Sequence, residues 1–336
     1  MVKYFRPIIS IERTFPSDAI FLGSTGFWFS LVKVFERGLP PKLVRAATIP
    51  VEIKSSLITY QDNILSQKKT SPLLMGILNT SPDSFSGDAA YNNDDIVTDK
   101  IDKMCTSGID IIDIGGESTR PGFSTISAED EKERIKVALK LVRKAYPDKI
   151  ISIDTRKSLV AEYALSLGAK ILNDVSALSF DSRSIDIAKK FGAYVSLMHS
   201  AEDGIELHKK ISGTDFLLDI FDYLRKRISF AESHGISKSK ILIDPGIGFG
   251  KTEEQNLVIL KNISLFHTLG CPILVGVSRK KFIGNIIGEE KPASRMVGST
   301  FLAGELIKQG VQVVRVHDIK DTNQVIKLIN RLLSVG

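Results

Sequence analysis

From residue 71 onward, short apolar runs alternate with longer stretches whose apolar positions recur at helical spacing. The runs Leu73–Leu78, Ile109–Ile114, Ile150–Ile153, Lys170–Leu172, Tyr194–Met198, Ile241–Ile243, Ile273–Val277 and Val311–Val316 are rich in β-branched residues and read as strands buried on both faces. Helical stretches are predicted to begin near Asp94, Ser127, Ser158, Ser182, Asp215, Glu253, Pro292 and Thr322. Several reach a glycine close to the next strand, at Gly108, Gly168, Gly192, Gly235, Gly270 and Gly310, where a helix can end in a left-handed residue. Ser127, followed by Asp130 and then Ile135, Ala138, Leu139 and Val142, gives a capping residue ahead of an amphipathic face. Eight strand-helix units across residues 71–336 predict an α/β fold, a TIM (β/α)8 barrel, with residues 1–70 as a short N-terminal extension packed on it.

The extension lacks this periodicity. Its most apolar part, Ala19 to Val34, is interrupted by Gly23, Ser24, Thr25, Gly26, Ser30 and Lys33, and falls short of the roughly 20 apolar residues needed to span a bilayer. No small-residue cleavage site follows it, and Phe27, Trp28 and Phe29 with Val32 and Val34 suit a strand or hairpin lying against a larger body. Seventy residues are too few for a second large core.

Composition narrows the classes. The chain has 336 residues, 43% hydrophobic and 25% charged, which excludes disorder and a membrane bundle. The net charge of +6 invites a nucleic-acid reading until it is located: residues 1–70 hold 10 basic against 5 acidic side chains, the remainder 35 against 34. The main body is thus neutral, with no electrostatic motive for nucleic acid. The two cysteines, Cys105 and Cys271, form no CxxC pair or disulfide framework, so a cytoplasmic, reducing compartment is expected.

In a barrel of this kind the chemistry lies at the carboxyl ends of the strands. Those ends are polar here: Asn79, Asp113, Asp154, Asn173 with Asp174, His199, Asp244, Ser278-Arg279-Lys280, and Arg315 with His317. One such residue would be turn chemistry, but eight successive strand ends converge on one mouth. Asp154, Asn173, Asp244 and Lys280 suit a flat heterocycle with an amino-pyrimidinone edge, purine or pterin, since carboxylates accept from ring N–H groups, an amide does both and an ammonium donates. An internal Lys280–Asp244 ion pair would explain the same residue types. Arg279, Arg315 and His317, with Arg120, form a cationic rim matched to phosphate or pyrophosphate.

Asp244 to Thr252 reads Asp-Pro-Gly-Ile-Gly-Phe-Gly-Lys-Thr, which is not a P-loop because Pro245 stands where the first glycine would be. These glycines let the backbone pass close to a flat ligand, with Phe249 beside it. HExxH, GxSxG and histidine pairs at metal spacing are missing, which removes zinc hydrolysis and serine acyl transfer. His208, His234 and His267 are expected on the surface.

Met75 to Ser86, Met-Gly-Ile-Leu-Asn-Thr-Ser-Pro-Asp-Ser-Phe-Ser, resembles the first signature of the dihydropteroate synthase family, and Asp113 to Gly122, Asp-Ile-Gly-Gly-Glu-Ser-Thr-Arg-Pro-Gly, resembles the second. Ser152-Ile-Asp-Thr155, Asn173-Asp174, Leu197-Met-His199, Asp244 to Phe249, Ser278-Arg-Lys280 and Arg315-Val-His-Asp318 follow in family order. The resemblance implies condensation of 7,8-dihydropterin-6-ylmethyl pyrophosphate with 4-aminobenzoate, giving 7,8-dihydropteroate and pyrophosphate in folate synthesis. It implies Asp154, Asn173, Asp244 and Lys280 around the pterin, and Asn79 with a Mg2+ ion, Arg315 and His317 at the pyrophosphate. Asp83, Phe85, Thr119, Arg120 and Pro121, in the first two loops, would close over the aminobenzoate, and a homodimer paired through the later helices is expected. The alternatives are a pterin-dependent methyltransferase, which has no pyrophosphate to bind, and a paralogue that binds pterins without turnover.

The sequence departs from the family pattern at three places. Gly87-Asp88-Ala89 replaces the usual Asp-Gly-Gly, Ser200 to Gly204 replaces a methionine and Gly-x-Pro turn, and Lys281 replaces a serine.

Overall fold

The computed structural model describes residues 2–23, 25–58, 63–65, 67–68, 71–81, 94–119, 122–200 and 206–335. The extension contributes β1 (Lys3–Pro7), β2 (Ile20–Phe21), β3 (Trp28–Phe29), β4 (Leu31–Glu36), β5 (Leu39–Arg45), α1 (Val51–Ile58), β6 (Asn63–Ile64) and β7 (Gln67–Lys68). The barrel follows as β8 (Leu73–Asn79), α2 (Asp94–Thr106), β9 (Ile111–Gly115), α3 (Ala128–Ala145), β10 (Ile150–Asp154), α4 (Ser158–Ser166), β11 (Ile171–Asp174) and α5 (Ser184–Phe191). It continues with β12 (Tyr194–Met198), α6 (Phe216–Ser233), β13 (Ile241–Asp244), α7 (Glu253–Lys261), β14 (Leu274–Gly276), α8 (Lys281–Ile287), α9 (Met296–Lys308), β15 (Val313–Val316) and α10 (Ile319–Leu333).

Among the described residues eight parallel strands form one sheet in the order β13-β12-β11-β10-β9-β8-β15-β14, and a parallel bridge between Ile243 and Ile273 joins its two ends. The chain is a TIM barrel, as the strand count predicts. Its interior is apolar where the strands enter: Leu73, Met75, Ile111, Ile171, Leu242, Leu274 and Val313 pack together, with Leu65 of the β6–β7 turn joining them. Because side chains alternate across a strand, the residue two positions on faces the same way. Asp113 follows Ile111, Asn173 follows Ile171, Asp244 follows Leu242 and Arg315 follows Val313. One period-2 step therefore carries each of these four strands from packed core to polar mouth.

The extension has its own core of Phe5, Leu22, Phe27, Phe29, Val32 and Val34 under the antiparallel sheet β1-β4-β5. It is tied to α6 and the turn after α7. The Tyr4 hydroxyl donates to Asp222 at 2.7 Å, the Tyr4 ring meets Phe221 edge-on, Arg37 pairs with Asp219 and Asp222, and Ser264 donates to the carbonyl of Pro7 at 2.8 Å.

Two departures from the sequence pattern have local causes. After β14 the chain makes two helices: α8 ends at Gly288, which has φ 74°, and α9 starts only after a 3₁₀ turn at Pro292–Arg295, where Arg295 donates to the carbonyl of Glu289. The helix expected near Thr322 starts at Ile319, while Thr322 is buried and its hydroxyl donates back to the Asp318 carbonyl at 2.7 Å.

Ser127 caps α3 by accepting from the Asp130 backbone N–H at 3.0 Å. Ser127→Ala is expected to cost about 1 kcal/mol in chemical denaturation with an unchanged m-value. An unaltered midpoint would show that the cap contributes nothing.

Candidate active site

Strand register sets the floor of the mouth. Asn79 and Asp154 both pair with Gly115, and Asp154 pairs with Asn173, so the four residues share one level on β8, β9, β10 and β11. Gly115 keeps that level open: a Cβ there would lie 3.4 Å from the Asp154 Cβ and 3.5 Å from the Asn79 Oδ1. Asp113 stands one inward-facing step below. It is fully buried and accepts from the Asn173 amide at 3.1 Å and from Arg315 Nε at 2.6 Å. Arg315 also donates Nη2 to Asp154 at 2.6 Å. The sequence placed Arg315 among rim cations, but its position on the inner face of β15 aims it across the barrel at these carboxylates. Burial, with Asp113 beside it, raises the Asp154 pKa against the pull of Arg315.

Asp244 and Lys280 are not joined as a contact pair. Asp244 accepts from the backbone N–H of Gly246 at 2.7 Å, and burial raises its pKa. The Lys280 ammonium lies 4.6 Å from the centre of the Phe249 ring, a cation-π contact, and burial lowers its pKa to about 8 although Asp244 favours the charge. Beneath the loop that carries Phe249, the Lys251 amine reaches His199 Nδ1 at 3.1 Å and the Phe249 carbonyl at 3.0 Å, and burial lowers its pKa to about 7.

The rim is less cationic than the sequence suggests. Arg279 is held by Asp318 through Nε at 3.1 Å and Nη2 at 2.5 Å. His317 Nδ1 and its backbone N–H both meet the Ser278 hydroxyl, at 3.0 and 3.1 Å. Thr119 ends the first described arm of the second loop, and its carbonyl meets His208 Nε2 at 2.8 Å. Asp83, Phe85, Arg120 and Pro121 lie outside the described residues.

The pterin binding enzyme family model matches residues 75–317. The chain belongs to the pterin binding enzymes. A dihydropteroate synthase of Streptococcus pyogenes is 38% identical over 261 residues, 77% of this chain and 95% of that one. The Xanthomonas albilineans dihydropteroate synthase solved with 4-aminobenzoic acid superposes with a TM-score of 0.74 at 33% identity, covering 79% of this chain and 94% of that one. The Yersinia pestis dihydropteroate synthase in complex with a sulfonamide drug gives a TM-score of 0.74 at 34% identity, over 79% and 96% of the two chains.

In this pterin binding enzyme several site residues carried no distinguishing sequence signal. Asp113 was visible as a strand end, but its place beneath Asp154 needs the register. Lys251 passed as the tail of a glycine loop. His208 is not a surface residue of a helix: its ring stacks on Phe249, with centroids 5.0 Å apart and planes 8° apart. His267 is fully buried, bonded to the Gln309 carbonyl, and its pKa is lowered by burial to about 4. His234 is exposed, as expected.

Gly246, at φ 71°, passes so close to β12 that a Cβ would lie 1.9 Å from the His199 carbonyl oxygen. Gly246→Ala is expected to destabilise the protein by about 2–4 kcal/mol and to weaken pterin binding, measured by denaturation and calorimetry. Wild-type values for both would contradict this geometry.

Proposed function

We infer that this chain catalyses the dihydropteroate synthase reaction, condensing 7,8-dihydropterin-6-ylmethyl pyrophosphate with 4-aminobenzoate to 7,8-dihydropteroate and pyrophosphate. It is a transferase of folate biosynthesis. The bond from the pterin methylene carbon to the pyrophosphate oxygen breaks, a carbon-nitrogen bond to the arylamine forms, and the amine loses a proton. The observation that carries this reading is the convergence of Asp154, Asn173, Asp244 and Lys280, from four strand ends, in one largely buried mouth.

The carboxylates of Asp154 and Asp244 accept from the pterin ring N–H and NH2 groups, Asn173 is oriented by its bond to Asp113, and Lys280 donates to the ring edge. Departure of pyrophosphate leaves positive charge spread over an electron-rich ring, which the Asp154 carboxylate stabilises, so no protein nucleophile is required. Phe249 walls the side where the arylamine enters and Thr119 covers it; Asp83, Phe85, Arg120 and Pro121, outside the described residues, are assigned to the same subsite by the resemblance alone. The amide N–H groups at the start of α8, after Lys280, suit the aminobenzoate carboxylate.

A Mg2+ ion fits the chemistry of Asn79, whose neutral side-chain oxygen lies at the level of Asp154. Mg2+ takes oxygen ligands and keeps substrate phosphates and waters in its shell, so one protein oxygen is enough to place it. When bound, the ion would neutralise charge on the departing pyrophosphate. His317 and the Arg315 nitrogen outside its two ion pairs are the side chains of this chain that we assign to the same group.

We also propose a homodimer and a cytoplasmic location. Val297 and Phe301 of α9 and Leu328 and Leu332 of α10 are 64–70% exposed on adjacent helices, an apolar face that a second copy would cover. Cys105 and Cys271 are free thiols, which supports a reducing compartment. No helix among the described residues is long and apolar enough to cross a membrane.

Pyrophosphate release coupled to dihydropteroate formation, lost in Lys280→Ala, tests the reaction; tight pterin binding without turnover would instead indicate a binding paralogue. Because burial lowers the Lys280 pKa, its charge is lost above about pH 8, and kcat/KM for the pterin substrate is expected to fall there. A profile flat through that range would remove the ammonium from the mechanism. Phe301→Glu is expected to halve the mass seen by light scattering, and a wild-type monomer would refute the dimer.

A further inference from the structure

His208 belongs to a short segment built onto the loop after β13. The Ile211 N–H donates to the Gly250 carbonyl at 2.9 Å, and a Cβ on Gly250 would lie 2.0 Å from the Lys209 carbonyl oxygen, so the two backbones are in direct contact. Leu207 is buried in a small apolar cluster with Val175, Met198 and Phe249, and Phe123 of the second loop packs against it. This cluster is separate from the barrel core and draws the loops after β9, β11, β12 and β13 together at the mouth. On that mount the His208 ring lies parallel to Phe249, and Nε2 donates to the Thr119 carbonyl at 2.8 Å. One imidazole thereby joins a residue beside Lys280 to the strand-proximal arm of the second loop.

We propose that His208 is a positioning residue for the aminobenzoate subsite: it fixes the Phe249 ring that walls the subsite and tethers Thr119 over it. The proposal rests on assigning this mouth to dihydropteroate synthesis, and it adds a residue from the segment after β12 to that assignment. The two contacts use different parts of the ring, the π face toward Phe249 and the Nε2–H toward Thr119. On the pterin side Asp154, Asn173 and Asp244 sit in strands whose register the barrel fixes, and Lys280 meets Phe249 but not His208, so the imidazole touches none of the four directly. Loss of the imidazole should therefore be felt by the arylamine and not by the pterin.

Steady-state kinetics of the full-length protein with both substrates varied, together with calorimetric binding of a 6-hydroxymethyl pterin, separates these roles. His208→Ala is expected to raise KM for 4-aminobenzoate by about tenfold, the combined effect of one aromatic stack and one hydrogen bond. KM for the pterin pyrophosphate and the affinity for the free pterin should stay at wild-type values, which also shows that the variant is folded. His208→Gln, which keeps a donor for Thr119, and His208→Phe, which keeps the stack, should each recover part of the loss. An unchanged KM for 4-aminobenzoate, or an equal rise for both substrates, would overturn the positioning role while leaving the reaction intact. A wild-type protein that binds pterin but makes no dihydropteroate would overturn the reaction and this role together.

Discussion

The guanidinium of Arg315 crosses the barrel from β15 to hold the carboxylates of Asp113 and Asp154 on β9 and β10. Below this group the interior is packed with Leu73, Met75, Ile111, Ile171, Leu242, Leu274 and Val313, so the charges have little water to fall back on. Removing one partner of such a buried set typically costs about 3–5 kcal/mol, because the remaining charge is left uncompensated. The set also fixes register. A slip of one residue in β9 would point Ile112 inward and turn Asp113 toward the helices, breaking core and charge network at once.

Burial gives the mouth its chemical character. The same desolvation raises the pKa values of Asp154 and Asp244 and lowers those of Lys280 and Lys251. Each group is stripped of water, with partners that meet only part of its hydrogen-bonding capacity; one oxygen of Asp113 has no hydrogen-bond partner. A flat, polar ligand offering donors to the carboxylates and an acceptor to the ammonium supplies what burial has removed. In the proposed reaction, recognition and charge stabilisation thus come from a single arrangement.

Above that floor the loops organise one another. Glu117, itself buried, accepts from Arg156, Lys157 and the Ile126 N–H, anchoring the far arm of the second loop, while His208 meets the near arm at Thr119. Lys251 fixes the carbonyl of Phe249 from below and His208 meets its ring from the side. The walls of the mouth are set by contacts between loops distant in sequence, whereas its floor is set by strand pairing.

The sequence by itself determined the eight strands, the helix starts at Asp94, Ser158 and Glu253, the cap at Ser127 and the polar residue ending each strand. These follow from periodicity and local capping, which neighbouring residues decide. It also identified Asp154, Asn173, Asp244 and Lys280 as one set, since parallel strands of a barrel bring their carboxyl ends to the same face. Only the tertiary structure decided that Arg315 and Arg279 are committed to carboxylates, that Asp113 lies beneath Asp154 and Asn173, and that His208 belongs to the mouth. An arginine at a strand end reads alike whether it faces solvent or a buried aspartate. The difference lies in which strand stands opposite, and that is a property of the closed barrel rather than of any segment within it.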